Sequence, residues 1–144
     1  MKETMIRTSA LLVAAAVLAA CGDSSMAPED GDGSLTGLYY GTIEGSERGN
    51  PFTRTVNLNL TEDLGTVGGG FSIVGAKGAG TISGTITGST LSFTFDQTHP
   101  CPGTFTGIAS IAGDRLTGTY SGSSCRGAVT ASFELNRTPE FIPL

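Results

Sequence analysis

The sequence predicts an all-β domain, and three observations lead to that fold class. Between residues 35 and 137, apolar residues recur with a period of two rather than 3.6, which indicates strands and not helices. Thr, Ser and aliphatic residues accompany abundant glycine, at 22 of 144 residues, with no three-residue period that would indicate collagen. Turn-forming pairs such as Gly88-Ser89 and Gly113-Asp114 separate the alternating segments.

Eight segments show this alternation, with apolar and glycine residues on one face and mostly Thr, Ser and Asn on the other. From the first segment to the eighth, the residues predicted to face the interior are Leu35, Gly37, Tyr39, Gly41 and Ile43; Val56, Leu58 and Leu60; Val67, Gly69, Phe71 and Ile73; Gly80, Ile82, Gly84 and Ile86; Leu91, Phe93 and Phe95; Phe105, Gly107, Ala109 and Ile111; Leu116, Gly118 and Tyr120; and Val129, Ala131, Phe133 and Leu135.

The connections between these segments are short, so neighbouring strands should be antiparallel and sequential in the sheet. Eight such strands most simply close into an up-and-down β-barrel over residues 35–137, because closure removes exposed strand edges. A barrel of this size is filled by side chains or holds one small ligand. A β-sandwich is the alternative architecture. The inward glycines indicate either a sharp bend with close approach of strands or an internal cavity.

Residues 1–20 are predicted to be a signal peptide. Lys2 and Arg7 precede an uninterrupted apolar run of eleven residues from Ala10 to Ala20. This run has the length of a secretory hydrophobic core, whereas a membrane span needs roughly 20 residues. The prediction places the remaining chain in an exported, oxidising compartment.

The Leu18-Ala19-Ala20-Cys21 segment resembles the lipobox of bacterial lipoproteins. The resemblance implies cleavage before Cys21 and lipidation of its thiol, so that the membrane is a partner through the N-terminal lipid. Gly22 after the cysteine favours the outer membrane, and the implied location is the bacterial cell envelope. The alternative is an ordinary signal peptide with an unrelated cysteine.

Residues 21–34 are rich in Asp, Ser, Gly and Pro and are predicted to form a flexible acidic tether of roughly 20 Å root-mean-square reach. The chain carries a formal charge of −5, and removing residues 1–20 leaves twelve acids and six bases, a charge of −6. Four of those acids lie in the tether, so the domain and the tail at residues 138–144 carry about −2. Without a basic stripe, nucleic acid is not an expected partner.

Cys101 and Cys125 remain as a pair once Cys21 is assigned to lipid. In an exported chain such a pair is expected to form a disulfide. In the barrel topology both cysteines lie in loops at the same end, which makes the bridge geometrically reasonable. A redox pair is the functional alternative, but the Cys-x-x-Cys spacing is absent.

The sequence contains no signature that predicts catalysis, and we expect no enzyme activity, cofactor or metal. His99 is the single histidine, whereas a zinc site requires three or four ligands. The glycine-rich segments at residues 68–70 and 75–80 lack the Lys-Ser/Thr ending and the following helix of a phosphate-binding loop. No nucleophile elbow is present.

The segments Leu35-Thr36-Gly37-Leu38-Tyr39 and Leu116-Thr117-Gly118-Thr119-Tyr120 repeat a Leu-Thr-Gly-x-Tyr pattern. Together with the short hairpins and the eight-strand count, they resemble the avidin and lipocalin class of small barrels. The resemblance implies a small, largely apolar ligand at the open end of the barrel. The residues expected to line that site are Tyr39, Phe71, Phe93, Phe95, Phe105 and Tyr120.

Biotin is not expected as the ligand, because avidin-type pockets stack it on tryptophan and this chain has none. The alternative function is a structural or interaction lipoprotein with a filled core, acting through its loops or its Thr/Ser-rich outer face. No particular protein partner follows from the sequence.

Overall fold

The structure is a computed structural model that describes residues 34–75 and 78–139. The predicted signal peptide, the lipidation site at Cys21 and the tether up to residue 33 lie outside the described residues, as do residues 140–144 of the predicted tail. Within the described ranges every regular element is a β-strand. The same ranges contain no helix long and apolar enough to cross a membrane.

Eight strands form the domain: β1 (Gly37–Glu47), β2 (Asn50–Asp63), β3 (Thr66–Ile73), β4 (Gly78–Thr87), β5 (Thr90–His99), β6 (Gly103–Ala112), β7 (Arg115–Ser124) and β8 (Gly127–Arg137). Each strand pairs antiparallel with the next, and β8 pairs antiparallel with β1, so the sheet is a closed barrel. The predicted up-and-down barrel is confirmed, and the sandwich alternative is excluded.

The hairpin turns have the backbone geometry that the twist of antiparallel strands requires. In the β1–β2 turn, Arg48 and Gly49 have φ of 52° and 79°, and in the β2–β3 turn Leu64 and Gly65 have φ of 48° and 79°. Two successive residues with positive φ are typical of type I′ turns, which match the right-handed twist of the flanking strands. These tight turns hold consecutive strands in register.

One end of the barrel is closed by side chains and by the first described residues, and we call it the sealed end. Leu35 is buried there, and its carbonyl accepts a hydrogen bond from the Tyr39 hydroxyl at 3.1 Å. Arg137 donates to the same hydroxyl at 2.9 Å and also to the carbonyl of Ser34. The Leu35 amide donates to the Glu62 carboxylate. Ser34 and Leu35 therefore close this end of the barrel through hydrogen bonds to Tyr39, Glu62 and Arg137.

Glycines on the inner face allow aromatic rings to fill the barrel. Phe93 is paired across the sheet with Gly107, and Phe133 with Gly118. A Cβ on Gly107 would overlap the Thr119 carbonyl oxygen and lie 2.7 Å from the Phe93 Cζ atom. The inward glycines are therefore places of close strand approach, and the rings of neighbouring strands occupy the space that larger side chains would need.

We predict that Gly107→Ala destabilises the domain by about 2 kcal/mol, because an added methyl group must displace either backbone or a packed ring. The melting temperature should fall by roughly 10 °C. Gly68→Ala is the matched control, since nothing lies within 4 Å of a Cβ at Gly68. Thermal unfolding followed by circular dichroism measures both changes. Equal melting temperatures for the two variants would contradict the close-approach role of Gly107.

Candidate functional site

The end of the barrel opposite the sealed end contains a cavity of about 60 Å³. This is the disulfide end, where the β1–β2, β3–β4, β5–β6 and β7–β8 connections lie. We call the cavity the well. Its apolar wall includes Phe71, Phe95, Phe105, Tyr120 and Phe133.

The rings around the well form a continuous packed group. Phe95 lies 5.1 Å from Phe71 and 5.5 Å from Tyr120, measured between ring centroids. Tyr120 in turn lies 5.7 Å from Phe105 and 6.3 Å from Phe133. These separations are typical of tilted and edge-to-face aromatic pairs. Five strands, β3 and β5 to β8, therefore contribute rings to one continuous aromatic wall.

The six aromatic residues expected at a ligand site divide between two parts of the interior. Phe71, Phe95, Phe105 and Tyr120 line the well. Phe93 is buried beside it, packing on Phe95 and Phe133 without lining the cavity. Tyr39 faces inward as well, but at the sealed end, where it is bonded to Leu35 and Arg137. The structure thus brings four of the six together.

Polar side chains that the sequence analysis did not select stand at the rim of the well. Glu47, Arg54 and Arg126 line it, together with the ring of Phe52. Strand β2 begins at Asn50, six residues before Val56, the first inward residue predicted for this segment. Phe52 and Arg54 lie on the same inward face of β2 as Val56. Extending the period-two pattern toward the start of the strand would therefore have predicted them.

Arg54 is held at the rim by an aromatic ring and a carboxylate. Its guanidinium carbon lies 4.3 Å from the centroid of the Phe52 ring. Its Nη2 atom lies 3.6 Å from Oε2 of Glu47, with 29% and 22% of the two side chains exposed. Stacking on the ring limits the rotamers of the long side chain and leaves its N–H groups directed outward along its plane.

Tyr120 combines an aromatic wall with a polar tip. Burial raises the pKa of the Tyr120 hydroxyl to about 12, and the positive charge of Arg54 opposes part of that rise. Within residues 34–75 and 78–139 no hydrogen-bond partner contacts this hydroxyl. The group therefore stays protonated at neutral pH and is free to donate a hydrogen bond.

Cys101 and Cys125 stand at disulfide distance beside the well. Their Cα atoms are 5.6 Å apart, within the range that a disulfide spans. Cys101 lines the cavity and is buried, and the Cys125 amide donates to the Pro102 carbonyl at 3.1 Å. The side chain of Gln97 also donates to the Cys101 carbonyl at 2.7 Å. The pair thus ties the β5–β6 loop to the β7–β8 turn, as the loop placement predicted.

His99 is exposed at the end of β5. Among the described residues no three His, Cys, Asp or Glu side chains lie close enough together to hold a metal ion.

The outer surface of β4–β7 carries a regular array of hydroxyl groups, which we call the hydroxyl face. Its members are Ser or Thr apart from Asp96 and Ile108, and one cross-strand row runs Ser83, Thr94, Thr106 and Ser121. The complete set is Thr81, Ser83, Thr85, Thr87, Thr90, Ser92, Thr94, Asp96, Thr104, Thr106, Ile108, Ser110, Thr117, Thr119, Ser121 and Ser123. Four of the eight strands contribute, so this array wraps around the barrel and is convex.

These features define the class of protein: an eight-stranded up-and-down β-barrel with a small aromatic well at one end. No family model matches the chain, and no curated protein matches it.

We predict that Tyr120 contributes to a loss of stability in alkali. Its folded-state pKa of about 12 exceeds the ordinary value of 10.0, so the folded chain holds more protons than the unfolded chain between these values. The contribution of Tyr120 to the free energy of unfolding is therefore fully present below about pH 10. It decreases as the pH rises, and about 2 kcal/mol is lost at about pH 11.5. Tyr120→Phe should flatten that part of the profile in urea unfolding, while the raised pKa of buried Tyr39 remains. Parallel profiles would contradict the assignment.

Replacing both cysteines, in Cys101→Ala/Cys125→Ala, should lower the free energy of unfolding by roughly 3 to 4 kcal/mol, because a disulfide across 24 residues restricts the unfolded chain. Denaturant unfolding measures this loss. Thiol labelling of the unfolded protein should gain two sites when a reductant is added. Equal labelling with and without reductant would show that the bridge is absent.

Proposed function

We propose that the chain is a non-catalytic lipoprotein of the bacterial envelope, anchored through Cys21, whose barrel binds a small ligand in the well. The observation that carries the binding role is the contrast between the two ends. The sealed end is closed by buried Leu35 and by Tyr39 with its hydrogen bonds. The disulfide end retains a cavity between aromatic walls, with the unpartnered hydroxyl of Tyr120 among the described groups that border it.

The size of the well limits what can enter it. Ligand pockets for drug-sized molecules measure about 300 to 1,000 Å³, and an engineered apolar cavity of about 150 Å³ binds benzene. The well, at about 60 Å³, is smaller than either. The ligand is therefore small, or it inserts only a short apolar group while the rest stays at the rim.

The polar groups of the well are suited to holding a ligand rather than to transforming one. Glu47 is paired with Arg54, and the raised pKa of Tyr120 keeps its hydroxyl protonated far above neutral pH. Ser124 accepts a hydrogen bond from the Arg126 amide at 3.1 Å. None of these arrangements joins a nucleophile to a general base, which nucleophilic catalysis requires.

The position of Ser34 supports an orientation in which the well opens away from the proposed anchor. Ser34, the first described residue, is bonded through its carbonyl to Arg137 at the sealed end. A lipid on Cys21 would thus attach the barrel by the end opposite the well. A ligand would enter from the aqueous side of the envelope compartment.

Cys21→Ser should release the protein from membranes or block its processing, because the thiol that receives the lipid is lost. Fractionation of cells into membrane and soluble material measures this, with Cys125→Ser as the control for loss of a cysteine elsewhere. Unchanged membrane association of the Cys21 variant would count against lipidation.

A neutral apolar probe should enter the well without entering the sealed end. Xenon is suitable because apolar cavities bind it. We expect xenon to shift the methyl NMR signals of Ile43, Ile73 and Val129, which line the well. The signals of Leu91 and Leu116, buried away from the well, are the internal control. Uniform or absent shifts would contradict a binding cavity.

A second candidate function is that of a structural or interaction lipoprotein acting through the hydroxyl face. The observation that favours it is the extended array of exposed Ser and Thr, which offers donors and acceptors without charge to a hydroxyl-rich polymer or a protein. A well that takes up no probe would leave this surface as the better-supported site.

A further inference from the structure

We infer that the well recognises a short-chain organic monoanion, with its apolar chain between the aromatic walls and its head group at Arg54. This inference rests on the proposed binding function and specifies the chemistry of the ligand.

The Arg54 guanidinium has free hydrogen-bonding capacity. A guanidinium carries five N–H donors in a fixed planar fork, which matches the geometry of a carboxylate. Among the described residues, the Arg54 guanidinium has no hydrogen-bond partner; it stacks on the Phe52 ring and lies 3.6 Å from the Glu47 carboxylate. That ion pair is longer than a charge-assisted hydrogen bond of about 2.7 to 2.9 Å. The donors of Arg54 are thus positioned at the rim and not saturated.

Positive side chains outnumber negative ones around the mouth of the well. Arg54 and Arg126 line the well, and Arg48 lies in the adjoining β1–β2 turn. Glu47 is the one carboxylate among the described residues that line it. Within residues 34–75 and 78–139, neither Arg48 nor Arg126 has a carboxylate within ion-pair distance. The rim therefore carries an excess of positive charge.

The other carboxylates among the described residues do not line the well, and two of them, Glu44 and Glu134, are exposed on the outer faces of β1 and β8. Glu62, Asp63 and Asp114 are at the sealed end, in or beside the β2–β3 and β6–β7 turns. Asp96 lies on the outer face, where it accepts a hydrogen bond from the Thr104 hydroxyl at 2.9 Å. A protein with a negative sequence charge thus presents a positive opening, and such an opening attracts anions and raises their local concentration.

Below the position of the head group, the well is narrow and apolar. The walls at Phe71, Phe95 and Phe105 are apolar, and the cavity of about 60 Å³ admits only a short chain. The protonated hydroxyl of Tyr120 supplies a donor near Arg54, whose charge acts on its pKa. A short aliphatic carboxylate would pair its charge with Arg54 at the rim and place its chain against the apolar walls. A cation would be repelled by the arginines, and a long chain would not fit in the cavity.

The test measures the affinity of the full exported protein for three probes of similar shape: butyrate, the neutral butanamide and the cation butylammonium. Isothermal titration calorimetry or NMR titration gives each dissociation constant. We expect butyrate to bind about tenfold more tightly than butanamide, since hydrogen bonds to charged groups contribute more than neutral ones. Butylammonium should bind most weakly, and octanoate should bind no more tightly than butyrate.

Variants assign the head group to Arg54. Arg54→Gln should weaken butyrate binding about tenfold and leave butanamide binding unchanged. Glu47→Gln should strengthen butyrate binding roughly threefold, because it removes the carboxylate that competes for the guanidinium. Arg115→Gln is the matched control: it removes the same charge at the sealed end, where Arg115 pairs with Glu134 at 2.7 Å, and should alter neither affinity.

The outcomes separate this inference from the proposed function. Equal binding of butyrate and butanamide, or equal effects of the Arg54 and Arg115 variants, would overturn recognition of an anion while leaving the well as a binding site. Octanoate binding more tightly than butyrate would overturn the restriction to a short chain. If neither butyrate nor butanamide binds and xenon also fails to shift the methyl signals of the well, the proposed binding function itself is wrong.

Discussion

The interior of this barrel depends on aromatic rings that pack over glycines of the neighbouring strand. Closing eight strands brings inward side chains from opposite walls into the same narrow space, so large residues at every inward position would not fit. Two large rings therefore pack over a glycine of the neighbouring strand, and each occupies the place where that residue has no side chain. The two pairs are Phe93 with Gly107 and Phe133 with Gly118. The same contacts bring backbones close together, which makes the glycines intolerant of a methyl group.

The difference between the two ends follows from how this packing is completed. At the sealed end, Leu35 and Tyr39 add to the core, and Arg137 satisfies the tyrosine hydroxyl and the entering backbone. At the disulfide end, β2 extends to Asn50, so an inward position is occupied by Arg54, whose charge must remain near water. Arg54 thus stands at the rim of the well, at the end of the barrel where the packed core stops.

The inner and outer faces of the barrel determine different properties, so residues on one face can change without altering the other. The inner face determines stability and the size of the well. The hydroxyl face contributes few charges, so most charged side chains lie at the ends. Arginines predominate at the mouth, whereas the sealed end combines Glu62, Asp63 and Asp114 with Arg115 and Arg137. An anchor at the sealed end would therefore present the positive opening to the aqueous compartment.

The period-two pattern and the turn residues of the sequence determined the eight strands, their order and most of the inward residues, because side-chain direction in a strand and the geometry of a tight turn are local properties. The loop positions of Cys101 and Cys125 followed from the same order of strands. Only the tertiary structure decided whether the inward glycines mark close approach or empty space, since that depends on the backbone of the adjacent strand. It also decided that Tyr39 belongs to the sealed end while Tyr120 lines the well, although both occur in the same short sequence pattern. The two tyrosines contact residues that are distant in the sequence, such as Arg137 for Tyr39 and Phe95 for Tyr120. A short sequence pattern cannot predict such contacts.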